Sequence, residues 1–303
     1  MRITQSMISK NLIEGLKNNR EQLNESQRRI STGKKHAKIS DDPESFSKAK
    51  RLSKQINQNN QYLKNASSAN AWVMTTRNAV ENLSTNVSKL REISLQGASD
   101  DLTASGRQAL SDQIQYIIDD TMDILNQSYL GKKLFAGTKT KVDNAFSVAN
   151  DGSISYNGNA SNINNKLSEN LSLAINVSGQ EVMDTNIFTI AKNLKAAMTD
   201  GSSEVKDDLD DVNTLLEDIN QISTSLGYKE NQIYLSQNRL DTANMNLSSL
   251  LSETEDVDLA EAITVYNSQE IAYRAAMQTA ADVLKPVSYT HLTLPTTVVG
   301  LVW

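Results

Sequence analysis

The sequence predicts a mainly α protein: a long antiparallel helical coiled-coil bundle formed by the N- and C-terminal halves, interrupted by a small inserted β domain. Three observations carry this. From Val212 an apolar residue recurs every seventh position through Ile219, Leu226, Ile233 and Leu240 to Leu247, the spacing of a coiled-coil seam. The same spacing links Leu52, Ala66, Val73, Val80 and Val87, with Tyr62, Ala69, Leu83 and Leu90 at the companion positions. Between the two seams, near Phe146 to Val177, the apolar period drops to two, as in strands. A narrow apolar stripe cannot be buried by one helix alone, so two seams far apart in sequence require partners.

The elements follow in order. Ile3, Met7, Leu12, Leu16, Leu23 and Ile30 give residues 1–30 one thin apolar stripe among Asn, Gln and Arg, a helix expected to be marginal alone. Ser31 to Lys35 ends it, and Asp42 before Pro43 restarts a helix as N-cap and first helical residue. That helix is expected to run to about Leu95, with a polar turn through Gly97, Ser99, Asp100 and Asp101. A third helix is predicted from Thr103 to Tyr129, with Leu110, Ile114, Ile117, Thr121 and Ile124 on one face and Gly131 as its stop. Phe146 and Val148, Ile154 and Tyr156 across an Asp-Gly turn, and Leu171, Leu173, Ile175 and Val177 read as strands. Ile187, Ile190, Leu194 and Met198 resume the helical period, which pauses at Gly201 and enters the second seam. The heptad fails at Thr254, Asp258 to Glu261 reads as a capping box, and a last amphipathic helix carries Ala262, Ile263, Tyr266, Tyr273, Ala276, Ala280, Val283 and Leu284. The expected partition is a terminal helix and joint at 1–42, the N-terminal half of the helical core at 43–137, the β insertion at 138–185, the C-terminal half of the core at 186–252 and a terminal helix at 253–286.

Composition narrows the function. At 303 residues, with 38% hydrophobic but only 5% aromatic content, packing should be aliphatic, and the net charge of −6 argues against nucleic acid as the main partner. Only Arg28, Arg29, Lys34, Lys35 and Lys38 form a basic cluster. The absence of cysteine removes disulfides, thiolate ligands and cysteine nucleophiles. Ile3, Met7, Ile8, Leu12 and Ile13 are interrupted by polar residues, so neither a cleaved leader nor a membrane-inserted segment is expected. Gly33 and Lys34 lack the upstream glycine of a phosphate loop, and His36 and His291 are the only histidines. The acid pairs Asp41 and Asp42, Asp119 and Asp120, Asp207 and Asp208, and Asp210 and Asp211 diverge around their helices, so they read as caps or solvated faces. In the insertion only Asp143, Asp151, Glu169, Glu181 and Asp184 could serve as acids. No enzyme, metal or cofactor is expected.

The motifs reached so far resemble the flagellin family of bacterial axial proteins, and within it the hook-filament junction branch. MRITQSM at Met1 to Met7, RISTGKK at Arg29 to Lys35, ISDDP at Ile39 to Pro43, LFAGT at Leu134 to Thr138 and YNSQEIAYRAA at Tyr266 to Ala276 carry the branch. LREISLQ at Leu90 to Gln96 is similar to a segment shared across the whole family. The resemblance covers roughly residues 1–137 and 203–286. It implies a structural protein of the extracellular flagellum that is exported through the flagellar channel with a cytosolic export chaperone. Its partners would be other copies of itself, hook-associated protein 1 and flagellin. The filament subunit, flagellin itself, is the alternative, and a secreted coiled-coil adhesin a more distant one.

Two expectations follow about residues. Ile3, Met7, Leu12, Leu16, Leu23 and Ile30 are expected to join Ile263, Tyr266, Tyr273, Ala276, Val283 and Leu284 in an assembly interface, with Val73, Val80, Val87 and the second-half seam as the coiled-coil core. Residues 287–303 carry no Asp, Glu, Lys or Arg, and Ser288 to Thr296 is similar to translated adapter sequence. They are expected to be a non-native tail, with a real strand or a tag as the alternative.

Overall fold

The structure, a computed structural model, describes residues 5–36, 38–98, 102–149, 153–200 and 205–283. The residues at 287–303 therefore lie outside it. The elements run α1 (Gln5–Thr32), α2 (Pro43–Gly97), α3 (Ala104–Leu125), β1 (Ser128–Tyr129), β2 (Lys132–Lys133), β3 (Phe146–Val148), β4 (Ile154–Tyr156), β5 (Asn164–Lys166), β6 (Ser172–Ala174), α4 (Gly179–Met183), α5 (Ile187–Asp200), α6 (Val205–Glu255) and α7 (Leu259–Val283). The chain is mainly α, with a small β region in its middle, and divides into two compact units: Gln55–Asn246, and Met1–Lys54 with Leu247–Trp303.

In the middle unit α2 and α6 pack antiparallel. Polar side chains on either side of the seam record the register: Asn244 Nδ2 donates to Asn60 Oδ1 (2.9 Å), Ser84 Oγ to Asn220 Oδ1 (3.1 Å) and Arg91 Nε to Asn213 Oδ1 (2.7 Å). Arg77 forms an ion pair with Glu230 (3.3 Å). The seam itself is dry. Val73, Val80, Val87, Val212, Ile219, Leu226 and Ile233 are fully buried, Leu240 nearly so, and Leu247, in the other unit, is half-buried. α3 and α5 pack on one another, with Ile114 and Leu194 fully buried. Buried Asn86 on α2 donates to Asp120 Oδ2 (2.7 Å) and Thr121 Oγ1 (3.3 Å) of α3. A lone amide in an apolar seam is satisfied in one register only.

The expected helix from Thr103 to Tyr129 is shorter than predicted. Thr103 caps it, its Oγ1 accepting from Gly106 N–H, but it stops at Leu125. The cause is Asn126, whose side-chain amide donates to Phe146 O (3.0 Å) and accepts from Phe146 N–H (2.9 Å), while its own carbonyl accepts from Lys133 Nζ (2.6 Å). The chain is thereby drawn into the β region, and Gly131, read as a helix stop, is instead the second turn residue of the β1–β2 hairpin.

The β region consists of separate antiparallel hairpins: β1–β2, β3–β4 and β5–β6. The predicted strands at Phe146 to Val148 and Ile154 to Tyr156 pair as expected, Phe146 facing Tyr156. The predicted run from Leu171 to Val177 is a strand only at Ser172–Ala174, and its partner β5 is the polar Asn164–Lys166. β5 is held to α2 by amides, Asn165 Nδ2 to Asn65 O (3.1 Å) and Asn65 Nδ2 to Lys166 O (3.0 Å). Beneath lies the LFAGT motif, with Leu134, Phe135 and Ala136 fully buried. Gly137 (φ +62°) puts its backbone against the Asn159 carbonyl, where a Cβ would collide. The Tyr156 hydroxyl lies between the Phe135 and Asn159 carbonyls (2.8 and 2.9 Å) and accepts from Gly179 N–H (3.2 Å).

Candidate functional site

The candidate site is the unit made by the two ends of the chain. On α1 Ser9, Leu12, Leu16, Asn19, Leu23, Ser26 and Ile30, spaced alternately by three and four residues, are all less than fully exposed, as are Glu25, Arg28 and Arg29 near its C-terminal end. On α7 Ala262, Tyr266, Gln269, Tyr273, Ala276 and Ala280 show the same alternation, with Glu270 beside Gln269 also partly covered. The helices therefore pack as a heptad pair, and Ser26 Oγ donates to Gln269 Oε1 (2.6 Å) across the seam. The sequence shows a thin apolar stripe on each of these helices but not the heptad, because Ser9, Asn19, Ser26 and Gln269 occupy positions where apolar residues mark a seam.

The cover is thin. The only buried apolar side chains described in this unit are Ala49, Ala262 and Ala280. Of the residues assigned to an assembly interface, Leu12, Leu16, Leu23, Ile30, Tyr266, Tyr273 and Ala276 line the α1–α7 seam and are half-buried, while Met7 and Ile263 face outward. Ile3, Leu284 and the side chain of Val283 lie outside the described residues. The structure adds further outward apolar groups: Ile8 and Ile13 on α1, and Leu259, Val265, Ile271 (69% exposed) and Met277 on α7.

The joints are tied to each other. Gly33 (φ +69°) ends α1, and Lys34 forms an antiparallel bridge with Asp256. Lys35 N–H donates to Glu255 O (2.7 Å), and Val257 N–H to Gly33 O (2.9 Å). Lys34 pairs with Glu255, and Lys35 Nζ reaches Glu253 O (2.6 Å). Elsewhere in the basic cluster Arg29 pairs with Glu25, and Arg28 lies 3.6 Å from Asp41. Asp42 Oδ1 accepts from Glu44 and Ser45 N–H (3.1 and 3.0 Å), and Asp258 Oδ1 from Ala260 and Glu261 N–H (2.9 and 3.2 Å). Both N-caps are where the sequence puts them. Hydrogen bonds from Ser45, then from Glu44, and the neighbouring His36 hold the Asp42 carboxyl below its usual range.

The remaining polar groups build structure. Among the described residues no cluster of His, Cys, Asp or Glu could hold a metal ion, and no helix is long and apolar enough to cross a membrane. Burial raises the Tyr156 pKa and lowers that of Lys229, whose ammonium donates to Asn176 O (2.9 Å). Both tie the β region together or fix it to α6.

The described elements are a pair of terminal helices, an antiparallel helical bundle and a small β insertion. The bacterial flagellin N-terminal helical region matches residues 3–140, and the bacterial flagellin C-terminal helical region matches residues 209–285. The chain belongs to the flagellin family, whose members are structural proteins of the flagellum. It is 24% identical to flagellar hook-associated protein 3 of Escherichia coli (strain K12), the alignment covering 93% of this chain and 96% of that protein. It is 23% identical to the flagellin of Bacillus subtilis (strain 168), covering 91% and 94%. Its fold is similar to that of flagellar hook associated protein-3 from Legionella pneumophila, with a TM-score of 0.63 at 13% identity, covering 67% of this chain and 98% of that one.

Proposed function

We propose that this chain is the adaptor at the hook-filament junction of an extracellular flagellum, assembling with copies of itself between hook-associated protein 1 and flagellin. Export through the flagellar channel with a cytosolic chaperone belongs to the same reading. The observation that carries it is the α1–α7 pair, in which no side chain larger than alanine among the described apolar residues is fully buried and eight apolar residues face outward. Ordering a residue costs about 1–2 kcal/mol in backbone entropy, and a two-helix seam this thin offsets little of that. Neighbouring subunits would supply the missing cover, with Met7, Ile8, Ile13, Ile263 and Ile271 as the contact residues. The similarity to hook-associated protein 3 favours the junction over the filament.

Deleting the gene in the source bacterium tests the role: filaments should be lost and flagellin released into the medium, whereas filaments of normal length would contradict it. Flagellin is the competing reading, since the Bacillus subtilis flagellin matches at nearly the same identity. Purified chain added to filament seeds separates the two, because a filament subunit elongates them and a junction adaptor does not.

A further inference from the structure

We propose that Leu130, at the tip of the β1–β2 hairpin, is a knob that seats in an apolar socket between α2 and α3 of a second copy of this chain. The inference rests on the self-assembly in the preceding reading and names a contact in the middle unit, apart from the terminal helices. The hairpin pairs Tyr129 with Lys132, leaving a two-residue turn. Leu130 (φ 50°) and Gly131 (φ 73°) both have positive φ, as the favoured hairpin turn requires. Glycine accepts that conformation freely, whereas a leucine holds it against the crowding of its own Cβ. The side chain returns little to its own fold, since it is 83% exposed. A strained backbone that holds an apolar group out in water points to a use outside the monomer.

The socket is a groove of about 440 Å³. Ile93 and Ile117 form its apolar floor, both nearly buried, and Tyr116 stands beside it 70% exposed. Glu92 and Asp112 on its wall outnumber Lys89, and the exposed Lys132 follows the knob by two residues. A leucine against the isoleucines would therefore bring an ammonium toward a net acidic rim, which is the complementarity that selects a hairpin of this same chain. The socket is centred near residue 92 of α2, whereas the knob lies beside Ser68 and Trp72 of the same helix, so copies lying parallel would be staggered by roughly 30–35 Å at the helical rise.

The conformation of Leu130 supplies the test. Leu130→Gly relieves the turn, so the purified monomer should melt at or above the wild-type temperature. Its self-association should weaken roughly ten- to a hundredfold, the factor for withdrawing one buried leucine. Because the chain has no cysteine, mixing Leu130→Cys protein with Gln113→Cys protein under oxidation reports the contact directly. A disulfide joining the two variants is expected, and its absence in concentrated protein, or L130G association at the wild-type level, overturns the knob. A mixed disulfide in a chain whose deletion leaves filaments intact would keep the knob and remove the junction role. Release of flagellin on deletion, with normal filaments in cells carrying L130G, would do the reverse.

Discussion

The two units of this chain are built from the same element, a heptad-spaced helix pair, and differ in what covers the pair. Of the 40 buried apolar residues described, 37 lie in the middle unit and only Ala49, Ala262 and Ala280 in the terminal one. Around α2 and α6 the seam gains cover from α3, α5 and the β region, so valine, isoleucine and leucine leave water completely. Around α1 and α7 the same spacing leaves leucine and tyrosine half-wet. Heptad spacing therefore fixes which residues meet, while the number of layers fixes how much free energy the meeting releases.

Substitutions should separate the units in order of size. Ile233→Asp places a carboxylate in the fully buried seam and should cost more than about 4 kcal/mol, seen as loss of cooperative urea unfolding. Unchanged unfolding would remove the seam from the core. Next is a matched pair. Leu226→Ala should cost about 2–5 kcal/mol, whereas Leu16→Ala, already half-exposed, should cost less than about 1 kcal/mol in the monomer yet reduce assembly. Equal losses of monomer stability would erase the distinction.

Tyr156→Phe, smaller again, strips a partner from the Phe135 and Asn159 carbonyls and from Gly179 N–H. It should lower stability by about 1–3 kcal/mol in a melt of the whole chain. Smallest is the Asp42 cap. Its folded pKa lies below the ordinary 3.8, so its contribution is present above that pH and fades as pH falls through the folded value. Proteolysis near the joint should rise in that acid window, and Asp42→Asn, which keeps the cap acceptor, should lose the pH dependence. An identical acid profile in both proteins would assign the effect elsewhere.

The long seam was legible from spacing alone because its residues are apolar at nearly every turn. The terminal seam was less so: Leu12, Leu16, Leu23 and Ile30 gave one face, but Ser9, Asn19 and Ser26 interrupt it, and only Gln269 opposite explains Ser26. Asp42 and Asp258 were readable as caps because capping is local. The bridge from Lys34 to Asp256 spans most of the chain, and no local pattern announces it. Strand β5, Asn164–Lys166, was missed because amides rather than apolar side chains anchor it. The β1–β2 hairpin was missed because leucine stands where a turn of this type usually shows asparagine. The Ser178 capping box with Glu181 is local and therefore readable from the sequence.

Hydrogen exchange read peptide by peptide, on the purified monomer and on the assembled protein, tests the difference between the units most directly. In the monomer, α1 and α7 should exchange orders of magnitude faster than the buried segments of α2 and α6, and they should become protected on assembly while the middle unit changes little. Protection of α1 and α7 equal to that of α2 and α6 in the monomer would show that the terminal pair is complete without neighbours.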